Sequence, residues 1–221
     1  MSDTKKSILL SALGLFARDG YEAVPVSAIA GELGITKGAL YKHYKNKRDI
    51  FDSIVSRMER HDAERANEFQ MPTGSVSNME EEYLRVTVDR LVEYGKAQFR
   101  YWTQDSFASS FRRMLTLEQY RSPEMGRLYQ QYLVSGPLGY VADIFGSLGY
   151  ADPMEKALGF YGPMFLMYSV YDGAEAKDGI IAAADSYLEK AGNRLREEKN
   201  KRTYEAHPYT CTVPGTKHPI P

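Results

Sequence analysis

Basic and aromatic residues are concentrated in one short stretch, residues 34–49 (GITKGALYKHYKNKRD). The stretch contains four lysines and one arginine, together with two tyrosines and a histidine, and its acid, Asp49, comes last. Lysine and arginine neutralise phosphates, and tyrosine and histidine donate hydrogen bonds to them. The chain as a whole carries a formal net charge of -1. This local composition indicates a polyanionic partner; the alternative is a solvent-exposed basic face on an ordinary helical domain.

The stretch begins where two short predicted helices meet at Leu33-Gly34-Ile35. Gly34 can adopt the left-handed backbone conformation that a tight turn requires. Two helices joined in this way form a helix-turn-helix, whose second helix enters the major groove of DNA by its N-terminal end. Here the second helix begins Thr36-Lys37-Gly38-Ala39, and its small residues would let the backbone approach the bases closely.

The rest of the chain also predicts helices, and therefore an all-α protein. Apolar residues recur at helical spacing, and strand-like alternation is scarce. A break at residues 71–78 (MPTGSVSN) separates four N-terminal helices, the fourth over residues 47–68, from a larger helical part. There we predict helices over residues 80–99, 106–120, 123–148, 153–172 and 178–199. Gly136-Pro137 and Gly162-Pro163 are expected to kink or split the two helices that contain them.

The N-terminal region resembles the TetR family of transcriptional regulators. The family pattern is I-A-x-x-x-G-(V/I)-(S/T)-x-G-x-(L/I)-Y-x-(H/Y)-(F/Y)-x-x-K. The matching residues are Phe16–Gly20, Ile29-Ala30, Gly34–Tyr41, Tyr44, Lys47 and Phe51. The resemblance covers residues 5 to 60, and many positions agree at fixed spacing, so the motif is specific.

The resemblance implies which residues contact DNA. Contacts with base edges or the groove are implied for Thr36, Lys37, Gly38, Ala39, Lys42 and His43, and contacts with phosphates for Tyr41 and Lys47. Leu40 and Tyr44 are implied as core. The chain departs from the family before the second helix of the head, where the family usually has Thr or Ser. Pro25 stands there and supplies neither a hydroxyl nor an N–H, so Ser27 is the remaining candidate for that contact.

The resemblance also implies two domains. A helix-turn-helix DNA-binding domain covers residues 1–48, and the fourth helix connects it to a helical effector-binding and dimerisation domain over residues 49–202. Residues 203–221 contain four prolines and no periodicity, so we predict a disordered tail there.

Large aromatic residues are abundant between residues 79 and 171, and packing in a helical core is their simplest role. The resemblance implies that some of them line an apolar ligand pocket, with Met164 and Met167 as an adaptable wall. The candidates for ligand binding are Trp102, Phe107, Phe111, Tyr129, Tyr132, Tyr161, Phe165 and Tyr168. Four nearby charged residues are expected to face solvent: Arg112, Arg113, Glu118 and Arg121. His61 is expected at the surface.

The resemblance assigns the helices between residues 153 and 199 to a homodimer interface. On the last helix an apolar stripe is formed by Ile180, Ile181, Ala184, Tyr187, Leu188, Ala191 and Leu195. The alternative is that this stripe packs within its own subunit. A two-fold dimer would hold two recognition helices about 34 Å apart, one turn of DNA, and so predicts a palindromic operator.

No motif for catalysis or metal binding is evident. The chain has no phosphate loop, no Gly-x-Ser-x-Gly and no Cys/His set at metal-binding spacing. His207, Cys211 and His218 lie in the Pro-rich tail, where no scaffold would hold them as ligands. With a lone cysteine, no clear signal peptide and no apolar run long enough to span a bilayer, we expect a cytoplasmic protein without a cofactor or a membrane contact.

Together these patterns predict a homodimeric transcriptional regulator and not an enzyme. Its partners would be double-stranded operator DNA and a small apolar or aromatic effector that releases a repressor from that operator. The alternative is a helical small-molecule-binding protein or enzyme without a DNA role. The basic helix-turn-helix distinguishes the two, because an enzyme has no need of it.

Overall fold

The computed structural model describes residues 3–206, and this part of the chain forms eleven α-helices and no strands. The helices are α1 (Asp3–Asp19), α2 (Val26–Glu32), α3 (Lys37–Tyr41), α4 (Lys47–Glu68), α5 (Glu80–Leu84), α6 (Val88–Gln104), α7 (Ser106–Glu118), α8 (Pro123–Leu133), α9 (Ser135–Ser147), α10 (Pro153–Gly173) and α11 (Lys177–Ala206). The predicted all-α class is confirmed. None of these helices is long and apolar enough to cross a membrane.

The N-terminal head consists of α1, α2, α3 and the start of α4 around one small core. Leu40 and Tyr44 are 0% and 1% exposed, as implied for core residues. They pack with apolar residues of α1 and α4, among them Phe16 and Phe51. α1 ends at Gly20, whose φ of +90° is a conformation that L side chains rarely adopt. Gly20 therefore turns the chain from α1 toward α2.

α4 connects the head to the rest of the molecule and has the bounds that the sequence predicts. Its N-terminus is capped reciprocally: the Asn46 side chain accepts a hydrogen bond from Asp49 N at 2.8 Å, and the Asp49 carboxylate accepts one from Lys45 N at 2.8 Å. With 22 residues at 1.5 Å each, α4 is about 33 Å long. One helix therefore reaches from the DNA-binding head deep into the larger domain.

The larger domain packs α5 to α11 into a bundle in which α10 lies against α9, and α11 lies against α6. The helix predicted over residues 80–99 is two helices, because Thr87 starts α6 by accepting a hydrogen bond from Arg90 N at 3.1 Å. The segment 123–148 is split between α8 and α9, next to Gly136-Pro137, as predicted. α10 is not split at Pro163 and continues to Gly173.

The apolar stripe predicted on the last helix packs within its own subunit, which was the alternative. Ala184 and Leu188 are fully buried, and Ala191 and Leu195 are nearly so. α11 also continues to Ala206, into the segment for which a disordered tail was predicted. The rest of that prediction, including His207, Cys211 and His218, lies outside the described residues.

Candidate nucleic-acid interface and ligand pocket

The turn between α2 and α3 is fixed by the glycine that the sequence indicates. Gly34 has a φ of +64°, Gly34 N donates to Gly31 O at 3.1 Å, and Ile35 N donates to Ala30 O at 3.0 Å. This pair of bonds is a Schellman motif, which satisfies the last carbonyls of α2. The turn therefore sets the angle between the two helices through backbone bonds.

α3 begins with a side-chain cap. Thr36 has extended backbone, and its hydroxyl accepts a hydrogen bond from Ala39 N at 3.1 Å. The cap fixes the residue at which α3 begins, and the N-terminal end of the helix is exposed to solvent. The first backbone N–H groups of a helix favour an anion at such an end. Thr36 is thus placed where the resemblance implies a DNA contact, and its hydroxyl also shapes the helix.

Four of the predicted DNA contacts form an exposed surface, which we call the recognition surface: Lys37, Gly38, Tyr41 and Lys42. Tyr41 is 48% exposed, although it is large and partly apolar. Within the described residues neither Lys37 nor Lys42 has an ion pair. A Cβ added at Gly38 would meet nothing closer than Thr36 Oγ1 at 3.8 Å. Packing therefore does not require glycine at this position.

The remaining predicted contacts, Ala39, His43 and Lys47, are half-buried. Lys47 faces inward in part: its Nζ donates to Tyr21 O at 2.9 Å and to Glu22 O at 3.3 Å, and lies 4.4 Å from the Tyr21 ring centroid. This lysine therefore ties α4 to the turn after α1, a role that sequence spacing does not reveal.

The start of α2 lacks the cap that its relatives usually have. Pro25 occupies the N-cap position without a side-chain hydrogen bond, and Ser27 is exposed on the first turn. A backbone bond from Ala28 N to Pro25 O, at 3.0 Å, forms at this end of the helix. Ser27 is exposed, and the contact with a phosphate that Pro25 cannot make stays a prediction for Ser27.

A cavity of about 370 Å³ lies in the larger domain, between α4, α6, α8, α9 and α10. Four of the eight candidate ligand residues line it: Trp102, Tyr132, Tyr161 and Tyr168. Met164 and the Gly136-Pro137 pair also line it. The cavity is therefore walled largely by aromatic rings.

The other four candidates, Phe107, Phe111, Tyr129 and Phe165, do not line this cavity. Phe111 is fully buried behind it and packs edge-on to Tyr132, with 5.0 Å between ring centroids. Phe107 packs against the His61 ring at 5.5 Å. Helical spacing cannot separate the rings that face a cavity from those one layer behind it, since both are apolar and buried.

Polar residues of the cavity were missed by the sequence reasoning. Glu59 and Asp62 reach it from α4, and Gln98 reaches it from α6. Burial raises the pKa of the Asp62 carboxyl from 3.8 to about 7. Three buried atoms that line the cavity, Asp62 Oδ1, Gln98 Oε1 and Tyr132 Oη, have no hydrogen-bond partner among the described residues.

Sequence relatives identify the head. A family model described as bacterial regulatory proteins, tetR family, matches residues 8–54. The chain is 39% identical over 56 residues to the transcriptional repressor BepR of Brucella suis, covering 25% of this chain and 27% of BepR. It is 37% identical over 68 residues to the transcriptional regulator AcrR of Shigella flexneri, covering 31% and 32%. The alignments span about a quarter to a third of these relatives.

A solved structure matches nearly the whole chain. The fatty acid degradation regulator FadR of Bacillus halodurans superposes with a TM-score of 0.59 at 17% identity, covering 89% of this chain and 98% of that one. This likeness shows the fold, and the head shows the family. The head of the chain, residues 8–54, matches the tetR family of bacterial regulatory proteins. The relatives that the head matches are named as transcriptional regulators, which favours a regulator over the enzyme alternative.

Two charged side chains that were expected to face solvent are buried instead. Glu118 is 0% exposed, accepts a hydrogen bond from Tyr21 N at 2.9 Å and pairs with Arg121 at 3.3 Å. It joins the end of α7 to the head. The signal in the sequence is its position, because Glu118 falls four residues after Met114 and three after Leu115 on the buried face of α7.

Arg112 is the second buried charge, 4% exposed. Its guanidinium forms two hydrogen bonds of 2.7 Å with the Asp172 carboxylate, and its Nε donates to Trp102 O at 3.0 Å. It also lies over the Tyr168 ring, 5.2 Å from the centroid. Arg112 therefore positions two residues of the cavity wall while Asp172 neutralises its charge.

His61 was also expected at the surface and is half-buried. Its Nδ1 lies 3.2 Å from Tyr101 Oη, and burial lowers the pKa of the imidazole. No group of three or more His, Cys, Asp or Glu side chains within residues 3–201 is arranged to hold a metal ion.

Proposed function

We propose that this protein is a transcriptional repressor of the cytoplasm that binds a palindromic operator as a homodimer and is released by a small molecule in the cavity. The observation that carries this proposal is the recognition surface. Two lysines without ion pairs, an exposed tyrosine and an unobstructed glycine surround the N-terminal end of a rigidly held helix. BepR, with which the chain shares part of its sequence, is named a repressor.

The recognition surface divides into two kinds of contact. Gly38 and Lys37, at the first turn of α3, would lie at the base edges, where a small residue permits close approach. Tyr41 and Lys42, one turn later, would contact phosphates on either side of the groove. Lys37 would therefore affect which sequence is bound, whereas Lys42 would contribute to binding of all DNA.

A dimer is supported by an exposed apolar stripe on α10. Met154, Leu158, Leu166 and Val170 are 48%, 53%, 64% and 45% exposed and are spaced four or eight residues apart, which places them on one face of the helix. A second copy of this chain, packed through the same face, would bury the stripe around a two-fold axis. The dimer face is thus proposed for α10, because most of the stripe on α11 is already buried.

The cavity and the head are connected through shared helices. α4 carries Asp62 in the cavity wall and Arg48 at the head, and α8 carries Tyr132 in the wall and Glu124 near its start. Arg48 forms a two-point ion pair with Glu124, at 2.8 and 2.6 Å. A ligand that favours another spacing of α4 and α8 would thus shift the head, by its differential affinity for the two arrangements.

The test is a fluorescence-anisotropy titration of labelled intergenic DNA that flanks the gene for this protein, in a salt series with scrambled competitor. We expect tight, salt-sensitive binding that resists the competitor. Lys42→Ala should weaken it, and Lys190→Ala, an exposed lysine on α11, should not. Binding of wild type no tighter than to scrambled DNA at any salt concentration, across a genomic operator selection as well, would overturn the DNA role.

A further inference from the structure

The charged groups that line the cavity are of one sign. Glu59 and Asp62 are both acids, one helical turn apart on α4, and no lysine or arginine lines the cavity within the described chain. The buried base Arg112 is occupied by Asp172. Arg65, three residues after Asp62, lies 4.3 Å from the centroid of the Tyr101 ring; its charge lowers the pKa of Asp62, but it forms no ion pair with Asp62 and does not line the cavity in the described residues.

Two buried hydrogen-bond acceptors in the cavity wall lack a donor in the part of the chain that the structure describes. Asp62 Oδ1 and Gln98 Oε1 are buried acceptors without a partner in the described residues, and the Gln98 amide nitrogen already lies 2.5 Å from Tyr94 Oη. A buried acceptor left unpaired is costly, so a ligand that brings N–H groups would be favoured. Tyr132, only 7% exposed, adds an unpartnered hydroxyl to the same wall.

Aromatic rings complete the wall. Trp102, Tyr94, Tyr161 and Tyr168 line the cavity together with Tyr132. The faces of such rings attract a cation, and the attraction increases when the cation is removed from water. A carboxylate placed here would meet the acids Asp62 and Glu59 in the cavity wall, and it would be repelled most strongly beside Asp62, which is the more buried of the two.

We infer that the effector of this protein is an organic cation: an ammonium or similar group with N–H donors, attached to an apolar, aromatic body. The ammonium group would bind at Asp62, with Glu59 and Gln98 beside it, and the body would lie among the rings. This inference rests on the proposed function only in taking the cavity as the effector site.

Binding of a cation should also change with pH. The titratable groups around Asp62 are Glu59 and Arg65 on α4, Tyr94 and Tyr101 on α6, Tyr132 on α8 and Tyr168 on α10. The ammonium group attracts the ionised carboxylate, which predominates only above its pKa of about 7. We therefore expect affinity for an ammonium ligand to rise about tenfold between pH 6 and pH 8, where an alkylammonium remains charged.

The experiment compares three probes with one shared body: 4-phenylbutylammonium, 4-phenylbutan-1-ol and 4-phenylbutanoate. The readout is the fluorescence of Trp102, the chain's one tryptophan, which lies in the cavity wall, checked by calorimetry without DNA. We expect the ammonium probe to bind about 10- to 100-fold more tightly than the carboxylate, as for a charge-assisted hydrogen bond. The alcohol should bind between them.

Variants identify the group responsible. Asp62→Asn should reduce ammonium binding to the level of the alcohol, whereas Glu64→Gln, an exposed acid on the same helix, should leave it unchanged. Circular dichroism checks that both variants fold. Equal or tighter binding of the carboxylate, no binding of any probe, or an Asp62→Asn variant that keeps the preference would overturn the cation assignment.

The two proposals fail in different ways. If the ammonium probe binds through Asp62 but leaves operator affinity unchanged, the cation assignment stands and release by this ligand fails. If the carboxylate binds and releases the operator, the repressor proposal stands and the cation assignment is overturned.

Discussion

The recognition surface and the cavity differ in how their residues are assembled. The four residues of the recognition surface come from one short stretch, between Lys37 and Lys42; all four are exposed, and the charged ones are basic. The cavity is formed by residues from five helices between Glu59 and Tyr168, and its charged groups are two acids, the partly buried Asp62 and the exposed Glu59. A surface made from neighbouring residues depends on local caps and turns, whereas a cavity depends on the packing of the whole domain. Changes at either site should therefore weaken binding of that site's own partner, but a large change in stability is expected only in the cavity.

The largest effect is expected from Asp62→Asn on stability. The folded state raises the pKa of Asp62 from 3.8 to about 7, so the folded chain binds this proton more tightly than the unfolded chain does. The contribution of Asp62 to the free energy of unfolding is therefore most favourable below pH 4 and is lost as pH rises to 7. The Asp62→Asn variant has no carboxyl group at this position to ionise, so it does not lose stability in this way as pH rises. At about 1.4 kcal/mol per pKa unit, the variant should be about 2 to 4 kcal/mol more stable than wild type at pH 8, by urea unfolding.

The difference between Asp62→Asn and wild type should shrink toward pH 4, and Glu64→Gln should show no such pH dependence. A variant less stable than wild type at pH 8 would show that the carboxylate stabilises the fold, and the contrast between cavity and recognition surface would be lost. Stabilisation together with weaker binding of 4-phenylbutylammonium would strengthen the contrast between the cavity and the recognition surface.

The second effect concerns Gly38 on the recognition surface. Gly38→Ala meets no obstacle in the free protein and improves helix propensity, so stability should rise by up to about 1 kcal/mol. Operator affinity should nevertheless fall about tenfold, or 1.4 kcal/mol, because the methyl group enters the groove. Anisotropy titration measures this loss. Gly179→Ala on α11, where a Cβ also meets nothing within 4 Å, is the control and should bind DNA like wild type.

The third effect separates Lys42 from Lys47, both of which the resemblance implies as DNA contacts, Lys42 at the groove and Lys47 at a phosphate. Lys42→Ala should leave stability unchanged and reduce the slope of log affinity against log salt by about one. Lys47→Ala should cost roughly 1 kcal/mol of stability, because it removes the bonds to Tyr21 O and Glu22 O. Equal stability of the two variants would contradict the internal role of Lys47.

The smallest effect is expected at the ion pair between head and body. Arg48 and Glu124 have side chains 52% and 40% exposed, so Arg48→Ala should cost no more than about 1 kcal/mol of stability. It should instead reduce the factor by which a cavity ligand weakens operator binding. Arg85→Ala, which breaks an exposed pair with Glu81 away from the head, should leave that factor intact.

The sequence predicts local features well because their causes are local. Gly34, the Thr36 cap and the bounds of α4 follow from residues within four positions of one another. The buried charges have causes far along the chain: Glu118 accepts from a residue 97 positions away, and Arg112 pairs with one 60 positions away. Their burial, and that of Asp62, depends on which helices pack together, and helical periodicity does not contain this information.

The coupling between cavity and operator is the central claim, and one measurement tests it directly. The affinity for 4-phenylbutylammonium is measured by Trp102 fluorescence with and without saturating operator, and the operator affinity with and without saturating ligand. Thermodynamic linkage requires both ratios to be equal, and release predicts that each partner weakens the other by about 5- to 150-fold. A ligand affinity that is the same for free and operator-bound protein would contradict the account.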